Sequence, residues 1–137
     1  LSAVKSLNAL PYIMAARYAA SQGLDDAILR SIKGEVVECA SSNIFVVLQN
    51  RIITPWLGSG CLPGTMRARV MATAQKLGML VQMQPIQVSR LNDASEIFIT
   101  NAIQGIQPVG SVAETTYISK HHKVMSTIRD AVLLEVG

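Results

Sequence analysis

Ile44-Phe45-Val46-Val47-Leu48 is an unbroken apolar run. It is too short to span a membrane and too apolar to show water either face of a strand. Asn43 to Leu48 is therefore expected to be an inner strand covered on both sides. A chain of 137 residues, 50% hydrophobic and 15% charged, can bury such a strand in one domain, and its composition is not that of a disordered chain. The only comparable run is Tyr12 to Ala16, and no basic-then-apolar leader is visible. The net charge of +3 is spread along the chain and aromatics make up 4%, so neither a nucleic-acid surface nor a membrane partner is indicated. Cys39 and Cys61 form no metal-binding spacing. Reduced, half-buried thiols in a cytoplasmic protein are the simplest reading, and a disulfide is the alternative.

The remaining pattern alternates strands and helices. Leu10 to Gly23 reads as a helix, with Pro11 in its first turn and Gly23 as its stop. Asp26 to Ile32 and Glu35 to Glu38 read as a hairpin about Lys33-Gly34. Asn50-Arg51 turns the inner strand into Ile52 to Thr54. A loop rich in Gly and Pro, Trp56 to Gly64, leads into an amphipathic helix, Thr65 to Leu77, with Met66, Val70, Ala74 and Leu77 on one face. Val81, Met83 and Pro85 alternate with glutamines as in an edge strand with one wet face. Glu96 to Thr100 is a further apolar strand, and Val124 to Val136 a closing helix anchored by Val124, Ile128 and Leu134. The order predicts an α+β, mixed α/β domain without an internal boundary.

Four features have chemical potential. The turn into the second helix would point the backbone N–H groups of Gly64, Thr65 and Met66 at an anion. Its glycine spacing matches neither a dinucleotide fingerprint nor a P-loop, so a plain loop is the simpler reading of the glycines alone. Lys5, just before a helix and among apolar neighbours, would become a nucleophilic amine if sheltered from water. Glu38 follows two valines and would need a partner, such as a protonated ring nitrogen, if it points inward. His121 and His122 diverge by about 100° on a helix and read as exposed, and no metal site is expected.

The order of these segments is more specific than any one of them. Lys5-Ser6-Leu7-Asn8, then Glu38 with Ser42-Asn43-Ile44-Phe45, then Leu62-Pro63-Gly64-Thr65-Met66-Arg67 resembles the fold-type IV pyridoxal-phosphate enzymes, the class IV aminotransferase family. The resemblance covers roughly Val4 to Val109. It implies pyridoxal 5'-phosphate as cofactor and the larger, C-terminal domain of a D-amino acid aminotransferase-like fold, a mixed sheet or pseudo-barrel flanked by helices. A smaller N-terminal domain, which contributes an arginine to the phosphate, has no counterpart in residues 1–137. By the same resemblance Lys5 is the catalytic lysine that bonds the cofactor, and Glu38 is the acid that meets its pyridine nitrogen. Leu62 lies against the ring, while Thr65 and Met66 hold the phosphate. Asn43 and Arg67 are support. Asn101 and Ala102 also fall at cofactor-binding positions, and Ala102 stands where aminotransferases usually place a phosphate-binding hydroxyl. With Met66, this resembles the 4-amino-4-deoxychorismate lyases, which release pyruvate and form 4-aminobenzoate for folate synthesis. A D-amino acid or branched-chain aminotransferase is the alternative, as is a catalytically incomplete fragment. The family also implies a homodimer.

Overall fold

The computed structural model describes residues 9–117 and 122–136. Its centre is a five-stranded mixed sheet. In chain order the elements are α1 (Ala9–Ser21), β1 (Ile28–Arg30), β2 (Val36–Cys39), β3 (Asn43–Leu48), β4 (Arg51–Thr54), α2 (Thr65–Lys76), β5 (Leu80–Met83), β6 (Glu96–Asn101), β7 (Gly105–Pro108), β8 (Ser111–Val112), β9 (Thr115–Thr116) and α3 (Lys123–Val136). The central sheet runs β5-β4-β3-β6-β7, while β1-β2 and β8-β9 form two small hairpins. Only β4 and β5 pair in parallel, because α2 carries the chain back between them.

β3 is the inner strand its composition demands, buried along its whole length. Phe45 and Val47 pack with Val70 and Ala74 of α2 and with Met125, Ile128 and Val132 of α3. Ile44, Val46 and Leu48 point the other way, onto Val36 and Cys39 of β2 and onto Ile86, Leu91 and Tyr117. Each buried apolar side chain contributes about 1.5–3 kcal/mol, so this one strand holds both cores together. Phe45 lies opposite Phe98 of β6 in register, their rings stacked with centroids 5.0 Å apart.

Several expectations are corrected. The turn after β3 is Gln49-Asn50, both at positive φ (50° and 63°), as a two-residue hairpin requires, and Arg51 already belongs to β4. The first strand shrinks to three residues, with an irregularity between Leu29 and Arg30. β5 is an edge strand as expected, but Met83 is 52% exposed, so its apolar residues do not mark a dry face. Leu77 caps α2 in the open, and Leu134 is 82% exposed; α3 is anchored by Ile128 and Val124 as expected, with Met125 and Val132 in place of Leu134. Cys39 and Cys61 are fully buried free thiols, not half-buried. His122, expected on the surface, is buried beside Glu96, and His121 lies outside the described residues. Among the described residues no helix is long and apolar enough to cross a membrane, and no cluster could hold a metal ion.

Candidate active site

The C-terminal ends of β2 and β6, the start of β3 and the N-terminus of α2 surround a cavity of about 220 Å³. Glu38, Leu62, Thr65, Met66, Asn101 and Ala102, six of the residues singled out in the sequence, all line it. The seventh, Lys5, lies outside the described residues.

Glu38 sits within β2, 3% exposed, in a strand that is buried on both faces. Tyr12 of α1 donates its O–H to Oε2 at 2.5 Å, and the Leu62 amide donates to Oε1 at 3.3 Å. A buried carboxylate needs such donors, since unpaired it would cost several kcal/mol. Asn43, at the start of β3, donates from Nδ2 to the Leu62 carbonyl at 2.8 Å. The backbone of Leu62 is thus held from both sides, by Glu38 on its N–H and Asn43 on its C=O, which fixes how its side chain meets the cavity.

The neighbouring Gly64 is the N-cap of α2. The amides of Thr65, Met66 and Arg67 fall in the first turn, where a helix offers no acceptor four residues back. They carry the positive end of a 12-residue dipole. Arg67 is buried and donates from Nη2 to the Pro55 carbonyl at 3.0 Å, tying this turn to the loop after β4. Across the cavity Thr100, 1% exposed, has a hydroxyl without a hydrogen-bond partner among the described residues. Asn101 folds the β6–β7 turn, accepting from the amides of Ile103 (2.9 Å) and Gln104 (2.6 Å), and donates to the Ser42 hydroxyl at 3.0 Å. Ala102 at this turn is exposed to the cavity and offers no polar atom of its own beyond the backbone.

Cys39 also lines the cavity, but burial pushes its thiol far up, with the carboxylates of Asp26 and Glu38 adding to the effect. Burial likewise raises the Cys61 thiol, against a lowering by Arg67. Both remain neutral at physiological pH, so neither is a thiolate nucleophile.

Tyr12 and Thr100 were not singled out from the sequence. Tyr12 meets Glu38 across 26 positions, and no local spacing announces that contact. Thr100 had one available signal: it shares a strand face with Phe98, two residues before it.

The arrangement has two polar ends, an acceptor carboxylate and a cluster of N–H and O–H donors, with Leu62 between them in sequence. This suits a ligand with a cationic ring nitrogen at one end and an anion at the other. The family described as "Amino-transferase class IV" matches residues 1–112. The branched-chain amino acid aminotransferase of Escherichia coli superimposes with a TM-score of 0.91 at 27% identity, over 97% of this chain and 46% of that one. An aminotransferase of Brucella abortus bound to pyridoxal phosphate gives 0.83 at 26% identity, over 91% and 44%. The aminodeoxychorismate lyase of Vibrio harveyi is 30% identical over 88 residues, 64% of this chain and 32% of its own length. Most of the curated relatives of highest similarity are named as branched-chain aminotransferases. The chain spans about a third of the length of such relatives, 35% for the one in Thermotoga maritima.

Proposed function

The chain belongs to the class IV aminotransferase family of pyridoxal-phosphate-dependent enzymes, and from that membership we propose that it forms the cofactor-binding part of a 4-amino-4-deoxychorismate lyase. The observation that carries the finer reading is the absence of side-chain hydroxyls at Met66 and Ala102, both on the cavity wall. Aminotransferases of this family are expected to use such hydroxyls on the phosphate.

The residues present fit the cofactor. The first-turn amides of α2 offer donors to a phosphate. The Glu38 carboxylate suits a protonated pyridine nitrogen, and Leu62 offers an apolar surface to the ring. Lys5 would hold the aldehyde end. When bound, pyridoxal phosphate supplies an electron sink for charge that develops on the substrate's amino-bearing carbon.

Within this reading the Lys5 amine takes the proton from the substrate carbon that bears nitrogen. It returns a proton to the methylene of the enolpyruvyl group as pyruvate departs, since one placed amine can serve as base and then acid. Glu38 maintains negative charge where a cationic ring nitrogen needs it. The products are pyruvate and 4-aminobenzoate.

Borohydride treatment of the protein with pyridoxal phosphate should fix the label on the peptide bearing Lys5, and Lys5→Ala should abolish labelling. A label elsewhere would refute Lys5 as the anchor. Incubation with 4-amino-4-deoxychorismate should release pyruvate and 4-aminobenzoate with no 2-oxo acid present. The second reading, a branched-chain aminotransferase, is favoured by the names of most relatives. It predicts the converse: no pyruvate release, and amine transfer from branched-chain amino acids that depends on an added 2-oxo acid. Family likeness also supports two copies per assembly, and light scattering that reads the mass of a single chain would refute this.

A further inference from the structure

Tyr12 is the one aromatic of α1 that is buried, at 7% exposure, whereas Tyr18 on the same helix is 63% exposed. Its O–H reaches Glu38 Oε2, while the other carboxylate oxygen is engaged by the Leu62 amide. The two donors arrive from different elements and act on different oxygens. Rotation of the carboxylate about its last bond would break both contacts. β2 carries Glu38, so the phenol ties α1 to the strand that bears the carboxylate.

We propose that Tyr12 is a positioning residue, whose phenol holds the Glu38 carboxylate in the orientation that faces the cavity. The inference deepens the proposed function and rests on it for what the cavity binds. Tyr12 itself lines the cavity beside Glu38. A side chain that served only to dock α1 would stabilise the fold without moving the pH profile of a ligand held against Glu38. A positioning residue affects both. Phenylalanine keeps the buried ring and deletes the hydroxyl alone, which makes Tyr12→Phe the informative change.

The test compares the wild type, Tyr12→Phe, Glu38→Gln and the double variant in two states. Without cofactor, urea unfolding should show non-additive losses, because Glu38→Gln already removes the charged acceptor that the phenol serves. With pyridoxal phosphate, Tyr12→Phe should weaken cofactor binding about ten- to hundredfold, the loss of one hydrogen bond to a charged group. It should also move the pH midpoint of the bound cofactor's absorbance. Additive unfolding losses, or a cofactor affinity and pH profile that superimpose on the wild type, would overturn the proposal. If the wild type takes up no cofactor, the proposed function fails. The unfolding cycle then decides the Tyr12–Glu38 coupling by itself, non-additivity supporting it and additivity overturning it.

Discussion

Gly64 illustrates how closely single residues set this site. A Cβ there would fall on Asn43 Oδ1, nearer than real Cβ contacts come. Gly64→Ala must displace the Asn43 amide, which then loses the Leu62 carbonyl. We expect a loss of about 1–3 kcal/mol in urea unfolding, the cost of a buried hydrogen bond left unmade, and weaker cofactor uptake. A stability equal to wild type would contradict this account. The thiols give a pH prediction. Cys39 and Cys61 are both raised by burial above the ordinary value of 9.0. Their stabilising contribution is complete below that value and is lost as pH rises through it towards the folded values, because only the unfolded chain gives up the protons readily. Urea midpoints should fall from pH 9 upward, and replacing both cysteines by alanine should flatten part of that fall. Thiol reagents at neutral pH should label neither until the chain unfolds. At this scale the sequence was most readable where an ordered set of residue types marks positions that come to line one cavity, as at Glu38, Leu62 and Thr65. It was least readable where a contact joins distant segments. Tyr12 carries no mark of its partner, and His122 looked exposed because adjacent histidines seldom both fit a core.

α3 shows the same limit for an element. Its helical period was visible, but its cap was not. Glu96, 3% exposed at the start of β6, accepts from the amides of Val124 at 3.0 Å and Met125 at 3.1 Å. The carboxylate satisfies first-turn donors that have no intrahelical partner and complements the positive helix end. His122 lies against it, Nδ1 at 3.9 Å from Oε1. Sequence spacing can reveal a cap three residues before a helix, but not one supplied from a strand 28 positions away. Glu96→Ala should cost about 2–4 kcal/mol, combining the lost cap with two buried amides left unmade. Glu96→Gln should cost less, since its carbonyl oxygen can serve one amide. Amide hydrogen exchange would check the location: protection should fall first at Val124 and Met125, and uniform loss across the sheet would argue against a local cap. Element existence was otherwise legible from apolar periodicity, while β8 and β9, two residues each, carry too little pattern to register, and β7 reads as turn because it opens on Gly105 and ends on Pro108.

For the molecule as a whole, β3 divides the interior into two cores and belongs to both. Phe45 faces the helices, and Ile44 faces β2 and the loops beyond β5. The cavity lies at the end of this same strand, where Asn43 meets Thr100 in register. Independent melting of the two cores would require β3 to keep one face packed while it loses the other. A strand buried at every residue has no such intermediate without exposing apolar surface worth several kcal/mol. Phe45→Ala and Ile44→Ala, at about 3–5 and 2–5 kcal/mol, should therefore each lower a single transition. Far-ultraviolet circular dichroism and the fluorescence of Trp56, beside the site loop, should coincide in both variants. Were Ile44→Ala to shift one probe and leave the other unmoved, the two faces would be separate folding units.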